Sequence, residues 1–215
     1  MPKDFSLPLM LRDLDYTVNG TYVHDFLFRV CPPRPGLAIL EPGCGSGKFG
    51  LSYALKGAQV LMLDIDPEVI EYACRLRASL EVLIGYPLNA GTSNSDLFNR
   101  LRGRREAPFD LVMNEGVPQH WSDDEKRQGC IDLMAQVTRP GGLVVIIGNN
   151  GLNSHEQEVD GSFQFQYMGM PPQRKCFTPE ELKTRMELAG LREVRVEPLA
   201  GALLDATLIA GWGVK

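Results

Sequence analysis

Glu41-Pro42-Gly43-Cys44-Gly45-Ser46-Gly47 follows the apolar run Leu37-Ala38-Ile39-Leu40. The run reads as a buried strand with a carboxylate at its tip, and the turn after it has glycine at three alternate positions. Glycine there permits positive φ and lets a ligand approach the main chain closely. The stretch is a ligand-binding loop between a strand and a helix, and its neighbours decide which ligand.

A loop that cradles a nucleoside triphosphate needs Gly-x-x-x-x-Gly-Lys-Ser/Thr. Gly47-Lys48 supplies the middle, but Pro42 stands at the first glycine and Phe49 at the magnesium-binding hydroxyl. The dinucleotide pattern Gly-x-Gly-x-x-Gly is met by Gly45, Gly47 and Gly50, with Asp64 about 20 residues on to take ribose hydroxyls. That match leaves Glu41 unexplained, because a pyrophosphate would face it as a second anion in a site of reduced dielectric. The pattern acid-x-Gly-x-Gly-x-Gly, with Asp64 closing a second strand Val60-Leu61-Met62-Leu63, uses every residue. It suits a ligand that carries positive charge and a ribose.

In this form the chain resembles the class I S-adenosylmethionine-dependent methyltransferases. Further elements of the family recur in order at Phe109-Asp110-Leu111-Val112 and Gly116-Val117-Pro118-Gln119-His120. They continue at Arg139-Pro140-Gly141-Gly142, then at Phe177-Thr178-Pro179-Glu180-Glu181-Leu182 with Ala189-Gly190-Leu191. The resemblance covers about residues 37–212. It implies a Rossmann-like, doubly wound α/β sheet of seven strands with an antiparallel last strand, and S-adenosylmethionine as cofactor.

Size and composition agree with one such unit. At 215 residues the chain suffices for one sizeable α/β domain and is short for two. A nicotinamide-dependent oxidoreductase, the main alternative, normally adds a substrate domain. The net charge of −5 gives no global attraction to nucleic acid or anionic membranes. The cluster Arg100, Arg102, Arg104, Arg105 reads as a solvated connection. Five cysteines without a Cys-x-x-Cys pair point to a reducing compartment and away from a zinc or disulfide framework. No segment approaches the roughly 18 apolar residues of a membrane span, and Leu7-Pro8-Leu9-Met10-Leu11 is too short and proline-broken for a signal peptide. The expectation is a cytoplasmic protein without a metal, acting on a small molecule; oligomeric state is left open.

Residues 1–35 read as an N-terminal cap with a helix from about Thr21 to Val30, and residues 36–215 as the cofactor-binding domain. Strands and helices then alternate, which implies a mostly parallel sheet with helices on both faces. A helix opens at Asp66-Pro67, an N-cap followed by proline. The third strand is ambiguous: Val82–Gly85 reads as that strand or as the tail of the preceding helix, and Tyr86–Ser95 is rich in turn formers. A capping box at Ser122-Asp-Asp-Glu125 opens a helix whose stripe is Ile131, Met134, Ala135 and Thr138. The fifth strand runs from Leu143 to Gly148. Residues 149–177 read as a long functional loop or lid. A second capping box, Thr178-Pro-Glu-Glu181, starts the last helix, and two strands near Glu193–Val196 and Thr207–Trp212 close the sheet.

The resemblance also assigns roles. Glu41 would engage the methionine ammonium, Gly43, Gly45 and Gly47 would lie against the amino-acid moiety and ribose, and Asp64 would hold the ribose hydroxyls with Ile65 beside adenine. Asp96 and Leu97 best match the adenine-contacting segment, with Asn89 as rival. Asn114 and Glu115 end the fourth strand near the transferred methyl. His120 at the rim, with a pKa close to neutrality, would be the general base. Transfer from a sulfonium is an in-line displacement to an acceptor oxygen or nitrogen. A protein that binds the cofactor without transferring methyl would keep every loop motif.

Overall fold

The computed structural model describes residues 22–95, 108–118, 123–149, 176–201 and 204–215. Helix α1 spans 22–30. It is followed by β1 (Ala38–Pro42), α2 (Lys48–Ala54), β2 (Gln59–Asp64), α3 (Pro67–Ile84) and β3 (Ala90–Asn94). Then come β4 (Phe109–Glu115), α4 (Asp124–Val137), β5 (Thr138–Asn149), α5 (Pro179–Leu188), β6 (Arg192–Gly201) and β7 (Leu204–Val214). The strands form one seven-stranded sheet in the order β3-β2-β1-β4-β5-β7-β6. The pairs β1–β2, β1–β4, β2–β3 and β4–β5 are parallel, whereas β7 runs antiparallel to both β5 and β6. The expected mostly parallel sheet with a reversed last strand is therefore present.

Strands buried on both faces read as continuous apolar runs because alternate side chains serve opposite layers. In β1 Ile39 joins the core under α1 and α2, while Leu40 joins the core under α4 and α5. In β5 Val145 and Ile147 face the first layer and Val144 and Ile146 the second. Each fully buried large apolar side chain contributes about 1.5–3 kcal/mol, and the two layers hold the central strands in fixed register.

Local signals place the helices. Asp66 caps α3 by accepting from the Glu68 amide at 2.9 Å, and Thr178 caps α5 by accepting from the Glu181 amide at 3.1 Å. For α4 the cap is Asp123 rather than Ser122: its carboxylate accepts from the Glu125 and Lys126 amides at 2.9 and 3.2 Å. The expected stripe Ile131, Met134, Ala135 and Thr138 is buried, with Thr138 already beginning β5. Helix α1 is fastened to α2 by Tyr53, whose hydroxyl donates to the Leu27 and Cys31 carbonyls at 3.0 and 2.8 Å.

The third strand is the main difference from the sequence reading. Val82–Ile84 end α3, with Gly85 as the left-handed cap at φ 77°. Ala90–Asn94 form β3, which pairs with β2 from Val60↔Ala90 to Asp64↔Asn94. Asn89 thus lies at the amino end of β3, away from Asp64, and is removed as an adenine contact. Strands β6 and β7 are also longer than expected; β6 shifts register between Arg192 and Arg195, where Glu193 takes φ 52°. Such a bulge blunts an edge strand.

Candidate functional site

The order β2-β1-β4 places the chain reversal between β1 and β4, and ligands of open α/β sheets bind at the carboxyl ends of strands beside that point. Three acids stand there on neighbouring strands: Asp64 ending β2, Glu41 in β1 and Glu115 ending β4. Glu41 is 4% exposed and Asp64 8% exposed, and a buried carboxylate is costly unless it is hydrogen-bonded or neutralised.

Glu41 Oε2 accepts from the Gly50 amide at 2.9 Å, inside the first turn of α2. Burial pushes its carboxyl up from 4.5 to about 8; the Gly50 amide and Lys48 oppose this, and Glu115 and Asp64 add to it. A Cβ on Gly50 would stand 2.5 Å from Glu41 Oε2. Gly50 is therefore the glycine that lets Glu41 reach the helix backbone. The sequence reading used it only in the dinucleotide pattern.

The loop after β1 is held from both sides. Gly43, Gly45 and Gly47 adopt φ of 66°, 53° and 75°, a region that side chains other than glycine rarely occupy. A Cβ on Gly43 would meet Val117 Cγ2 at 2.0 Å, and one on Gly47 would meet the Met62 sulfur at 2.8 Å. The chain's own packing demands both glycines. The Gly45 amide donates to Asp64 Oδ2 at 3.1 Å, which ties the loop after β1 to the end of β2. Asn114, 2% exposed, donates to the Pro42 carbonyl and accepts from the Val117 amide at 3.0 Å, so it fixes the loop to the turn after β4. Glu115 is half-buried beside it.

Asp64 has a second donor, the Asp66 amide at 3.0 Å to Oδ1. Ile65 leaves the sheet 59% exposed, an apolar side chain turned to solvent just past the carboxyl end of β2. Asn94, beside Asp64 on β3, was not named in the sequence reading, and Lys48 entered it only through the rejected triphosphate-loop pattern. The Lys48 ammonium lies 4.6 Å from the centre of the Phe49 ring and lowers the Glu41 pKa. Asp96, Leu97 and His120 lie outside the described residues, as does nearly all of the 149–177 segment. Among the described residues no group of three or more acid, histidine or cysteine side chains could hold a metal, and no helix is long and apolar enough to cross a membrane.

Two buried acids at the carboxyl ends of adjacent strands favour a ligand that brings positive charge or hydrogen-bond donors, and disfavour a pyrophosphate. Residues 39–142 match a family model described as a methyltransferase domain. The chain belongs to the class I S-adenosylmethionine-dependent methyltransferases. Among relatives, the ubiquinone biosynthesis O-methyltransferase of Methylocella silvestris is 31% identical over 168 residues, 74% of this chain and 60% of its own length. The tRNA 5-carboxymethoxyuridine methyltransferase of Escherichia coli is 27% identical over 146 residues, 65% of this chain and 51% of its own length. This family member thus spans only about half to three fifths of those relatives. Its fold matches magnesium protoporphyrin IX methyltransferase from Synechocystis, solved with bound S-adenosylhomocysteine, at TM-score 0.66 and 16% identity, covering 93% of this chain and 81% of that one.

Proposed function

We propose that the protein binds S-adenosylmethionine over the β1–α2 loop and transfers its methyl group to an oxygen or nitrogen of a small molecule. The observation that carries this reading is the pair of buried carboxylates at the carboxyl ends of adjacent strands, Glu41 in β1 and Asp64 ending β2, each bonded to an amide of the segment after β1. S-adenosylmethionine supplies a methyl group already activated on a sulfonium. Glu41 would hold the ammonium, its ionised form favoured by that charge. Asp64 would accept from the ribose hydroxyls while the Gly45 and Asp66 amides fix its orientation. Ile65 offers apolar surface for adenine, with Asp96 and Leu97 proposed on the far side.

With an activated donor, orientation of the acceptor carries most of the acceleration, worth about 7–11 kcal/mol. Glu115 and the segment after β4 would do this on the acceptor side. His120 would take the proton from the acceptor hydroxyl or amine on an imidazole nitrogen, a contribution of about 10²–10⁴-fold.

A thermal-shift comparison of S-adenosylmethionine, S-adenosylhomocysteine, NAD and ATP tests the cofactor. Stabilisation by the first two is expected, because a ligand that binds only the folded state raises the melting temperature by mass action. Stabilisation by NAD alone would replace this reading with the oxidoreductase one. His120→Ala should lose turnover while S-adenosylhomocysteine affinity, read by calorimetry, stays unchanged.

A further inference from the structure

Asn94 ends β3 opposite Asp64 in the sheet register. Its side-chain amide donates to two successive carbonyls where the neighbouring strand ends, Asp64 at 3.2 Å and Ile65 at 3.0 Å. Only Nδ2 carries hydrogens, so two carbonyl partners settle which way the amide points. The Ser95 amide donates to the Asp64 carbonyl as well, at 2.9 Å. The backbone of Asp64 and Ile65 is thereby clamped from the β3 side just where β2 leaves the sheet. On the opposite side the Asp64 carboxylate takes the Gly45 and Asp66 amides. Neither clamp alone fixes the side chain. The amides set where the carboxylate points only if the Asp64–Ile65 peptide is itself held, because the Asp66 amide lies one residue beyond it.

We infer that Asn94 is a positioning residue for the ribose-binding acid: by holding the Asp64–Ile65 peptide it aims the Asp64 carboxylate at the ribose hydroxyls. This rests on the proposed cofactor reading. Asn94 needs no contact with the cofactor for the role. Its short side chain matters, since both carbonyls lie at the end of the adjacent strand and a longer amide would have to fold back to reach them. Alanine removes both donors. Aspartate keeps the shape and presents acceptors to two carbonyls, so it should act no better than alanine.

The test compares calorimetric affinity for S-adenosylhomocysteine with that for its 2′,3′-dideoxyribose analogue in the unsubstituted protein, Asn94→Ala, Asn94→Asp, Asp64→Ala and the Asn94→Ala/Asp64→Ala double variant. Asn94→Ala should weaken S-adenosylhomocysteine by about tenfold, the scale of one lost net hydrogen bond. It should weaken the dideoxy analogue far less, and the double variant should bind no more weakly than Asp64→Ala. In the ligand-free protein, amide exchange at Gly45 and Asp66 should quicken in Asn94→Ala. Unchanged S-adenosylhomocysteine affinity, equal loss for both ligands, or additive losses in the double variant would overturn the inference and leave the cofactor reading standing. Failure of the unsubstituted protein to bind S-adenosylhomocysteine would instead remove the cofactor reading, and the inference with it.

Discussion

Glu41 sits in β1 with its carboxylate against the Gly50 amide, and burial raises its pKa from 4.5 to about 8. The folded protein therefore holds this proton where the unfolded chain has released it. The sign follows from linkage: the group's stabilisation is complete below the unfolded pKa and is lost as pH rises through the folded one. Glu41→Gln keeps the shape and abolishes the titration. In urea titrations of ligand-free protein, the variant should gain on the parent between about pH 5 and about pH 8.5. Binding reverses the preference, since a cationic ligand favours the ionised carboxylate. S-adenosylhomocysteine affinity of the parent should rise with pH up to about 8, and the Glu41→Gln profile should be flat. Parallel pH profiles for the two proteins would remove Glu41 from the ammonium site.

At the scale of elements, the joint between α4 and α5 is made by one buried cation. Arg127 has no exposed side-chain surface; its guanidinium bonds Asp124 at 3.1 Å and Glu181 at 2.9 Å and lies 4.1 Å over the Phe177 ring. Arg185 closes the cluster on the same two acids. Removing one partner of a buried pair costs about 3–5 kcal/mol, and the partly exposed acids here put Arg127→Ala at the low end of that range. Arg127→Met should cost less, because it fills the space over Phe177 while Arg185 still serves Glu181. Urea midpoints at constant slope would check the order; equal midpoints for parent and Arg127→Ala would refute it. None of this was legible in the sequence, whose reading of that helix named its capping box and apolar stripe and left Arg127 out. What could be read was what local rules govern: the β1 tip and its glycines, Asp64 ending β2, and the Asp66 and Thr178 caps. Strand β3 was obscure because Ala90-Gly-Thr-Ser-Asn lacks an apolar pattern, and its pairing with β2 makes it a strand. Asn94 was invisible for the same reason, since its acceptors lie 30 and 29 residues away in the chain.

For the whole molecule, the open question is the class of acceptor, since one relative acts on tRNA and another is a ubiquinone biosynthesis O-methyltransferase. The residues proposed to bind the cofactor all lie in the part of the chain that the family model matches, residues 39–142, so similarity there speaks to the donor. Acceptor choice rests on loops that one fold varies freely. Charge supplies an independent argument. Binding an RNA backbone releases counterions and draws on clustered cations, whereas this chain carries 27 acidic against 22 basic side chains. With radiolabelled S-adenosylmethionine and a cell extract, label should therefore appear in a low-molecular-weight fraction that ribonuclease leaves intact. Label lost from an acid-precipitable fraction on ribonuclease treatment would assign the acceptor to RNA. It would also require the basic residues that the net charge conceals, with Arg100 to Arg105 the first to substitute.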